Sequence, residues 1–232
     1  MADLSMTMCD VARADPARAY VSIYPVDPMP PAIAALRDGR EPVWIFAYGS
    51  LMWHPDFDFA EARPAFLYGY HRRFCLYSRD YRGTPERPGL VLGLDRGGSC
   101  HGIAYCLPPD RVGESLDRIW AREMTGRVYE MRPVTLRTTA GRVSGHACVV
   151  RRESHDYAGR LSADEAARLL AVAVGGRGSG RDYLANTVRH LAELGIRDAL
   201  LHRIAARVGE LVSRAGSDKE LGSGEYRKPA IA

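Results

Sequence analysis

From Val43 onward, apolar residues come in short runs broken by turn residues, the pattern of strands. VWIFAY, FLYGYHRRFCLYS, GLVLGL and HGIAYCL are rich in aromatic and β-branched residues, and Arg82-Gly83-Thr84-Pro85 and Arg96-Gly97-Gly98 lie between them as turns. Two more strands are predicted around 129 to 138 and 143 to 150, joined at Ala140-Gly141 as a hairpin. The helical period appears elsewhere. The stretch from Pro109 to about Met124 opens with prolines and Asp110 and meets no breaker before Gly126. Ser162 followed by Glu165 has capping-box spacing and starts a helix over 163 to 174. After GGRGSGR, the segments DYLANTVRHLAEL and RDALLHRIAARVGELV are both amphipathic and are split by Gly195.

Before Val43 the chain is interrupted by prolines and predicts a surface arm with at most one short helix, near Ile33 to Arg37. Strands framed by helices read as an α+β fold with a strongly curled or closed sheet. The organisation that follows is an arm over 1–42, a domain over 43–214 and a flexible tail over 215–232.

Composition narrows the function. The net charge of +4 is mild and the arginines are scattered, which argues against nucleic acid as a partner while favouring small anionic substrates. Five cysteines, at 9, 75, 100, 106 and 148, are odd in number and irregularly spaced, and no charged-then-apolar leader opens the chain; both features fit a reducing cytosol and a cytoplasmic protein. No apolar run approaches the ~20 residues needed to cross a bilayer, so no membrane partner is expected.

Two places carry candidate chemistry. On the predicted helix 109 to 124, Val112, Leu116, Ile119 and Trp120 recur as a buried stripe, and Glu123 is its next member. A carboxylate in line with a core is suited to take and return a proton, so Glu123 is a candidate general base. The alternatives are a pair with Arg122 or Arg127, or a frayed helix end. In FAYGSLMW, a strand that breaks on Gly49-Ser50 can turn successive N–H groups outward as an anion-binding nest, with Tyr48 and Ser50 adding hydroxyls. An ordinary Gly-Ser turn is the alternative.

Other arrangements are weaker. Cys100, His101, Cys106, His146 and Cys148 lack a C-x-x-C pair and read as buried strand residues rather than zinc ligands. No G-x-S-x-G elbow accompanies Ser50, and GGRGSGR lacks the terminal G-K-[ST] of a P-loop, reading instead as a link between helices or a flexible rim. Arg72 and Arg73 read as exposed strand arginines or as anchors for a substrate carboxylate.

Taken together, VWIFAYGSLMWHPDF, GYHRRFCLYSRDYRGTPERPGLVLGL, GIAYCLP and IWAREMTGRVYEMRPV, followed by GGRGSGRDYLANTVRHLAELGIRDALLHRIAARV, resemble the ChaC-like γ-glutamylcyclotransferases, the glutathione-specific branch, over about 43 to 212. The resemblance implies a γ-glutamylcyclotransferase-like, closed β-barrel sheet with flanking helices. It places the family's YGSL loop, which holds the γ-glutamyl group, on Tyr48, Gly49, Ser50 and Leu51, and its catalytic glutamate on Glu123. It further implies that Tyr183, after the glycine-rich stretch, contacts the substrate. The glycine and tyrosine that follow the R-E pair in the family fall on Gly126 and Tyr129, here separated by Arg127 and Val128. The implied activity is cleavage of glutathione to 5-oxoproline and L-cysteinylglycine by attack of the γ-glutamyl amine on its own γ-carbonyl, which requires no cofactor, metal or water. Cyclotransfer on other γ-glutamyl amino acids or amines, or a non-catalytic regulatory protein on the same fold, are the competing readings.

Overall fold

The computed structural model describes residues 24–39 and 41–222, and within them the strand-like runs close into a barrel. In chain order the elements are α1 (Pro31–Ala34) with a 3-10 turn over Ala35–Arg37, β1 (Trp44–Ala47), a 3-10 turn over Ser50–Met52, β2 (Glu61–Ser78) and β3 (Gly89–Cys106). Then come α2 (Val112–Glu123), β4 (Tyr129–Thr138), β5 (Gly141–Val150), α3 (Ala163–Val172), β6 (Val174–Gly175), β7 (Gly178–Ser179), α4 (Gly180–Glu193) and α5 (Ala199–Gly222). The barrel order is β1-β3-β2-β4-β5, and a parallel pairing of β1 with β5, Ile45 beside His146 and Phe46 beside Ala147, closes it. Closure leaves no unpaired sheet edge at that seam. The α+β reading and the closed sheet are both observed.

Alternation along β1 explains why all four of its residues are buried. Trp44 and Phe46 join a cluster drawn from all five barrel strands, with Leu67, Leu94, Ala104, Leu136, Ala147 and Val149. Ile45 and Ala47 face the other way and join the core shared with the helices, among them Leu116 and Ile119 of α2, Leu170 of α3, Leu191 of α4 and Leu201 of α5.

Several boundaries differ from the sequence expectation. GLVLGL and HGIAYCL are one continuous strand, β3. Arg96-Gly97-Gly98 does not reverse the chain, because Gly97 and Gly98 adopt left-handed backbone (φ 102° and 67°) inside a bulge between the Tyr68–Ser99 and Tyr70–Arg96 pairs. Pro108 to Arg111 forms a turn ahead of α2, so the helix begins at Val112. The capping box of Ser162 and Glu165 is present, but α3 stops at Val172 because Ala173 turns extended and its carbonyl accepts from Gly180 N–H at 2.9 Å. The chain is still helical at Gly222; the rest of the expected tail, 223–232, and the arm residues 1–23 lie outside the described residues.

The described part of the arm does more than lie on the surface. Ile33 enters the helix-side core, and Val26 bridges Thr125 just after α2. Asp27 N–H donates to Met124 O at 2.7 Å, while the Trp120 indole N–H donates to Asp27 O at 2.7 Å.

One buried polar knot ties β3 to the segment after β5. Asp95, 2% exposed, accepts from Arg152 Nε at 2.7 Å, Tyr157 Oη at 2.8 Å and Arg96 N–H at 2.8 Å. Burial works to raise its pKa, but these three donors together outweigh it and hold the carboxyl below its ordinary value of 3.8. Stability from this knot is therefore present above that value and is lost as pH falls through the lower folded value. Asp95→Asn is expected to lower the unfolding free energy at pH 7 by about 1–2 kcal/mol, and by less at pH 3, as measured by denaturant unfolding at the two pH values.

Candidate active site

β1 runs out of the barrel into Tyr48-Gly49 and the turn Ser50–Met52, which is held by Met52 N–H on Gly49 O and His54 N–H on Ser50 O, each at 2.8 Å. Among the described residues, the N–H groups of Gly49, Ser50 and Leu51 donate to no protein acceptor. The Leu51 side chain is core, so only its backbone faces the site. A left-handed glycine does not make the break: Gly49 has φ −133°, and a Cβ there would meet only Leu92 Cδ1 at an ordinary 3.7 Å. Trp53 continues the loop and stacks on His190 of α4 at 4.8 Å.

α2 delivers its last residue to the same place. Val112, Leu116, Ile119 and Trp120 are buried as the stripe requires, and Glu123 sits one step beyond them with its side chain 17% exposed, at the rim of the core rather than inside it. Its Oε1 lies 3.1 Å from Arg122 Nε. The pairing alternative is thus realised, and the same guanidinium reaches further: Nη2 donates to Ser50 Oγ at 2.9 Å and Nη1 to His54 O at 2.5 Å. Arg122 therefore joins the carboxylate to the loop that the sequence had singled out separately. After Glu123 the backbone leaves the helix through left-handed Gly126 (φ 68°), on which the Tyr24 ring of the arm packs.

Around Glu123 stand groups kept neutral by burial. Burial pushes the Tyr48 phenol well above its ordinary value, with Tyr129, Cys148 and Glu123 adding to the effect. Tyr129 is raised in the same way, by burial first and then by Glu123, and its hydroxyl donates to Leu92 O at 2.6 Å. Burial raises Tyr183 to about 12; its ring meets Phe74 edge-on at 5.9 Å and carries the Arg82 guanidinium 4.9 Å from its centroid. The Cys148 thiol is pushed well up by burial and then by Glu123. At neutral pH the three phenols can act as hydrogen-bond donors, and Glu123 is the carboxylate whose charge all four groups feel.

The structure thus brings Tyr48, Gly49, Ser50, Leu51, Glu123 and Tyr183 into one neighbourhood. The sequence names Arg122 only as an alternative partner for Glu123 and assigns no role there to Leu92 or Cys148. Position at the start of the strand after Glu123 is the available signal for Tyr129; Leu92 and Cys148 come from other strands, β3 and β5. Arg72 and Arg73 are not exposed strand residues. Both are buried: Arg72 lies against Tyr48 O, His101 O and Asp198, so the chain itself occupies it, while Arg73 donates to Leu161 O at 3.1 Å and its buried Nε meets no acceptor among the described residues. The glycine-rich segment is a docked hairpin, β6 and β7. Gly176 and Arg177 N–H groups donate to Asp80 O at 2.8 Å and Tyr81 O at 2.9 Å, and a Cβ on Gly175 would fall 2.4 Å from Gly83 N. Among the described residues no three His, Cys, Asp or Glu side chains gather as metal ligands do.

A family model described as ChaC-like protein matches residues 43–211. The chain belongs to the ChaC-like family. A relative from Escherichia coli (strain K12), a glutathione-specific γ-glutamylcyclotransferase, is 35% identical over 194 residues, covering 83% of this chain and 84% of its own. Glutathione-specific γ-glutamylcyclotransferase 1 of Rattus norvegicus is 30% identical over 195 residues, 81% of this chain and 88% of the relative. A crystal structure of a glutathione-specific γ-glutamyl cyclotransferase from yeast superposes with a TM-score of 0.66 at 23% identity, over 74% of this chain and 97% of that one, and shows that the barrel and its helices are the γ-glutamylcyclotransferase fold. The described arm lies ahead of the stretch that the ChaC-like model matches, yet it is bonded to the end of α2.

The raised thiols give a check on the site's burial. In the native protein at pH 8, Cys148 and Cys75, the latter pushed up to about 12 mainly by burial, are expected to resist iodoacetamide and to be modified only after unfolding. Peptide mass spectrometry with and without denaturant measures this.

Proposed function

We propose that this ChaC-like protein cleaves glutathione to 5-oxoproline and L-cysteinylglycine, with 43–214 as the catalytic unit. The observation that carries the reading is the meeting of Glu123 with the Tyr48–Leu51 loop through Arg122, at a point where three loop amides have no acceptor among the described residues. The names of the bacterial and rat relatives supply the substrate.

The reaction asks three things of the site. The α-ammonium of the γ-glutamyl residue must lose a proton, the chain must fold so that this nitrogen approaches the γ-carbonyl carbon, and the tetrahedral oxyanion must be stabilised. Glu123 takes the amine proton. The nitrogen then bonds to the γ-carbon, closing a five-membered ring and becoming cationic; Glu123 passes its first proton to the departing nitrogen of cysteinylglycine as the C–N bond breaks, then takes the second proton that the ring nitrogen sheds to become the lactam N–H and yields it to the released amine, which leaves as an ammonium. No water enters the balance. Arg122, paired to Glu123, holds the carboxylate toward the loop, while Ser50 Oγ accepts from Arg122 and keeps its own O–H to donate. The free amides of Gly49 to Leu51 hold an anionic oxygen of the γ-glutamyl group, either its α-carboxylate in the bound state or the oxyanion that forms on ring closure. Tyr48 and Tyr183, kept neutral by burial, line the site as donors, while Tyr129 spends its O–H on Leu92 O. A reducing, cytosolic setting suits both the substrate and the four free thiols among the described residues.

The decisive experiment incubates the purified protein with glutathione and measures 5-oxoproline, with a panel of other γ-glutamyl amines alongside. Release of 5-oxoproline from glutathione in preference to the panel is the expected outcome; no 5-oxoproline from any of them overturns the proposal. Glu123→Gln keeps the shape and removes the base, so turnover should fall at least ~100-fold. Near-normal turnover in that variant would remove Glu123 from the mechanism.

A further inference from the structure

We propose that Arg72, a residue of β2 that reaches the proposed site only through other groups, is a positioning residue that aims the loop amides at the substrate. This rests on the glutathione reading above. The Arg72 side chain is 2% exposed and spends its donors on groups from three separate parts of the chain. Nε donates to Tyr48 O, Nη2 to His101 O at 2.7 Å, and Nη1 lies 3.5 Å from Asp198 Oδ2, with Met52 Sδ 3.6 Å from Nη2. Asp198 is fixed in turn, since its other oxygen accepts from Leu201 N–H at 3.2 Å at the start of α5.

Two features give this contact a role beyond stability. The first is the geometry of the Tyr48-Gly49 peptide, which is planar and trans, so its C=O and N–H point in opposite directions. Holding Tyr48 O on one side therefore fixes where Gly49 N–H points on the other. The second is that the loop is held at both ends and left free in the middle. Arg72 grips the carbonyl of Tyr48, the Tyr105 hydroxyl donates to Met52 O at 2.9 Å, and between these anchors the N–H groups of Gly49, Ser50 and Leu51 have no protein acceptor among the described residues. Amides that must meet a developing charge are effective only when their directions are set in advance. The divergence of the three acceptors also favours a planar guanidinium over a single ammonium, because one fork can serve carbonyls on opposite sides while lysine presents a point charge.

The test uses the full-length protein and the substitutions Arg72→Lys, Arg72→Met and Asp198→Asn, none of which touches Glu123. Asparagine keeps the cap on α5 and weakens the hold on the guanidinium, so Asp198→Asn should fold even where an Arg72 substitution does not. For each variant that retains a cooperative thermal transition, kcat and KM for glutathione are measured across pH. Arg72→Lys is expected to lower kcat/KM roughly 10- to 100-fold, Arg72→Met to lower it further, and Asp198→Asn to lower it least. The pH dependence of kcat should keep the unmutated shape, because the proton carrier is unchanged. A rise in KM at constant kcat assigns the amides to the α-carboxylate; a fall in kcat at constant KM assigns them to the oxyanion. Amide hydrogen exchange gives a readout that needs no turnover: Met52 and His54, whose N–H groups close the loop turn, should exchange faster in Arg72→Lys while β4 and β5 stay as before. Folded variants with unmutated kcat, KM and loop exchange would overturn the role of Arg72. Failure of the unmutated protein to form 5-oxoproline would instead overturn the glutathione reading, leaving the exchange experiment to decide whether Arg72 sets the loop.

Discussion

The four residues of β1 sit between β3 and β5 and complete a barrel that has no seam without them. Their pairing is antiparallel on one side and parallel on the other. Because both faces of so short a strand are buried, its register cannot slip by one residue without sending Trp44 and Phe46 to the helix side and Ile45 and Ala47 into the barrel. That constraint fixes where the strand ends, and so where Tyr48 and the loop after it emerge. Everything proposed for the site hangs from this point.

A second layer of constraint comes from arginines used inside the structure. Arg72 grips the loop from behind, Arg122 joins it to Glu123, and Arg152 closes the knot on Asp95. Arg72 and Arg122 each meet acceptors from separate segments, which is work that a planar fork of five donors does well, and Arg152 ties its own segment to Asp95 and Arg96 of β3. These three cations are thus committed to carbonyls, a hydroxyl and carboxylates of the chain itself. Around Glu123 the same economy of charge holds. Phenols and a thiol raised by burial contribute dipoles without competing for its proton at neutral pH.

The ways in which sequence reading succeeded and failed follow from range. Local signals were sound: the capping box at Ser162, the hairpin around Ala140-Gly141, and the stripe on α2 that led to Glu123 all depend on residues a few positions apart. Gly97-Gly98 misled because a left-handed glycine pair serves a bulge as well as a turn, and only the neighbouring strand, running alongside for the whole length of β3, decides between them. GGRGSGR misled in a similar way, since its glycines answer to the close approach of the 80–83 segment, which no local pattern announces. Arg72 and Arg73 looked exposed because strand alternation says which face a side chain takes but not what covers that face.

By itself the sequence determined that the chain makes a curled sheet with framing helices, that a carboxylate falls in line with a buried stripe, and that a strand breaks at Tyr48-Gly49-Ser50. Those are matters of period and of backbone preference, written within a turn or two of each residue. The tertiary structure alone decided that the carboxylate and the broken strand face each other, that Arg122 bridges them, and that Tyr129 and Cys148 stand beside them while Arg72 stands behind. Such meetings depend on closure of the barrel, which brings together residues more than a hundred positions apart, and closure is set by packing that no single segment contains.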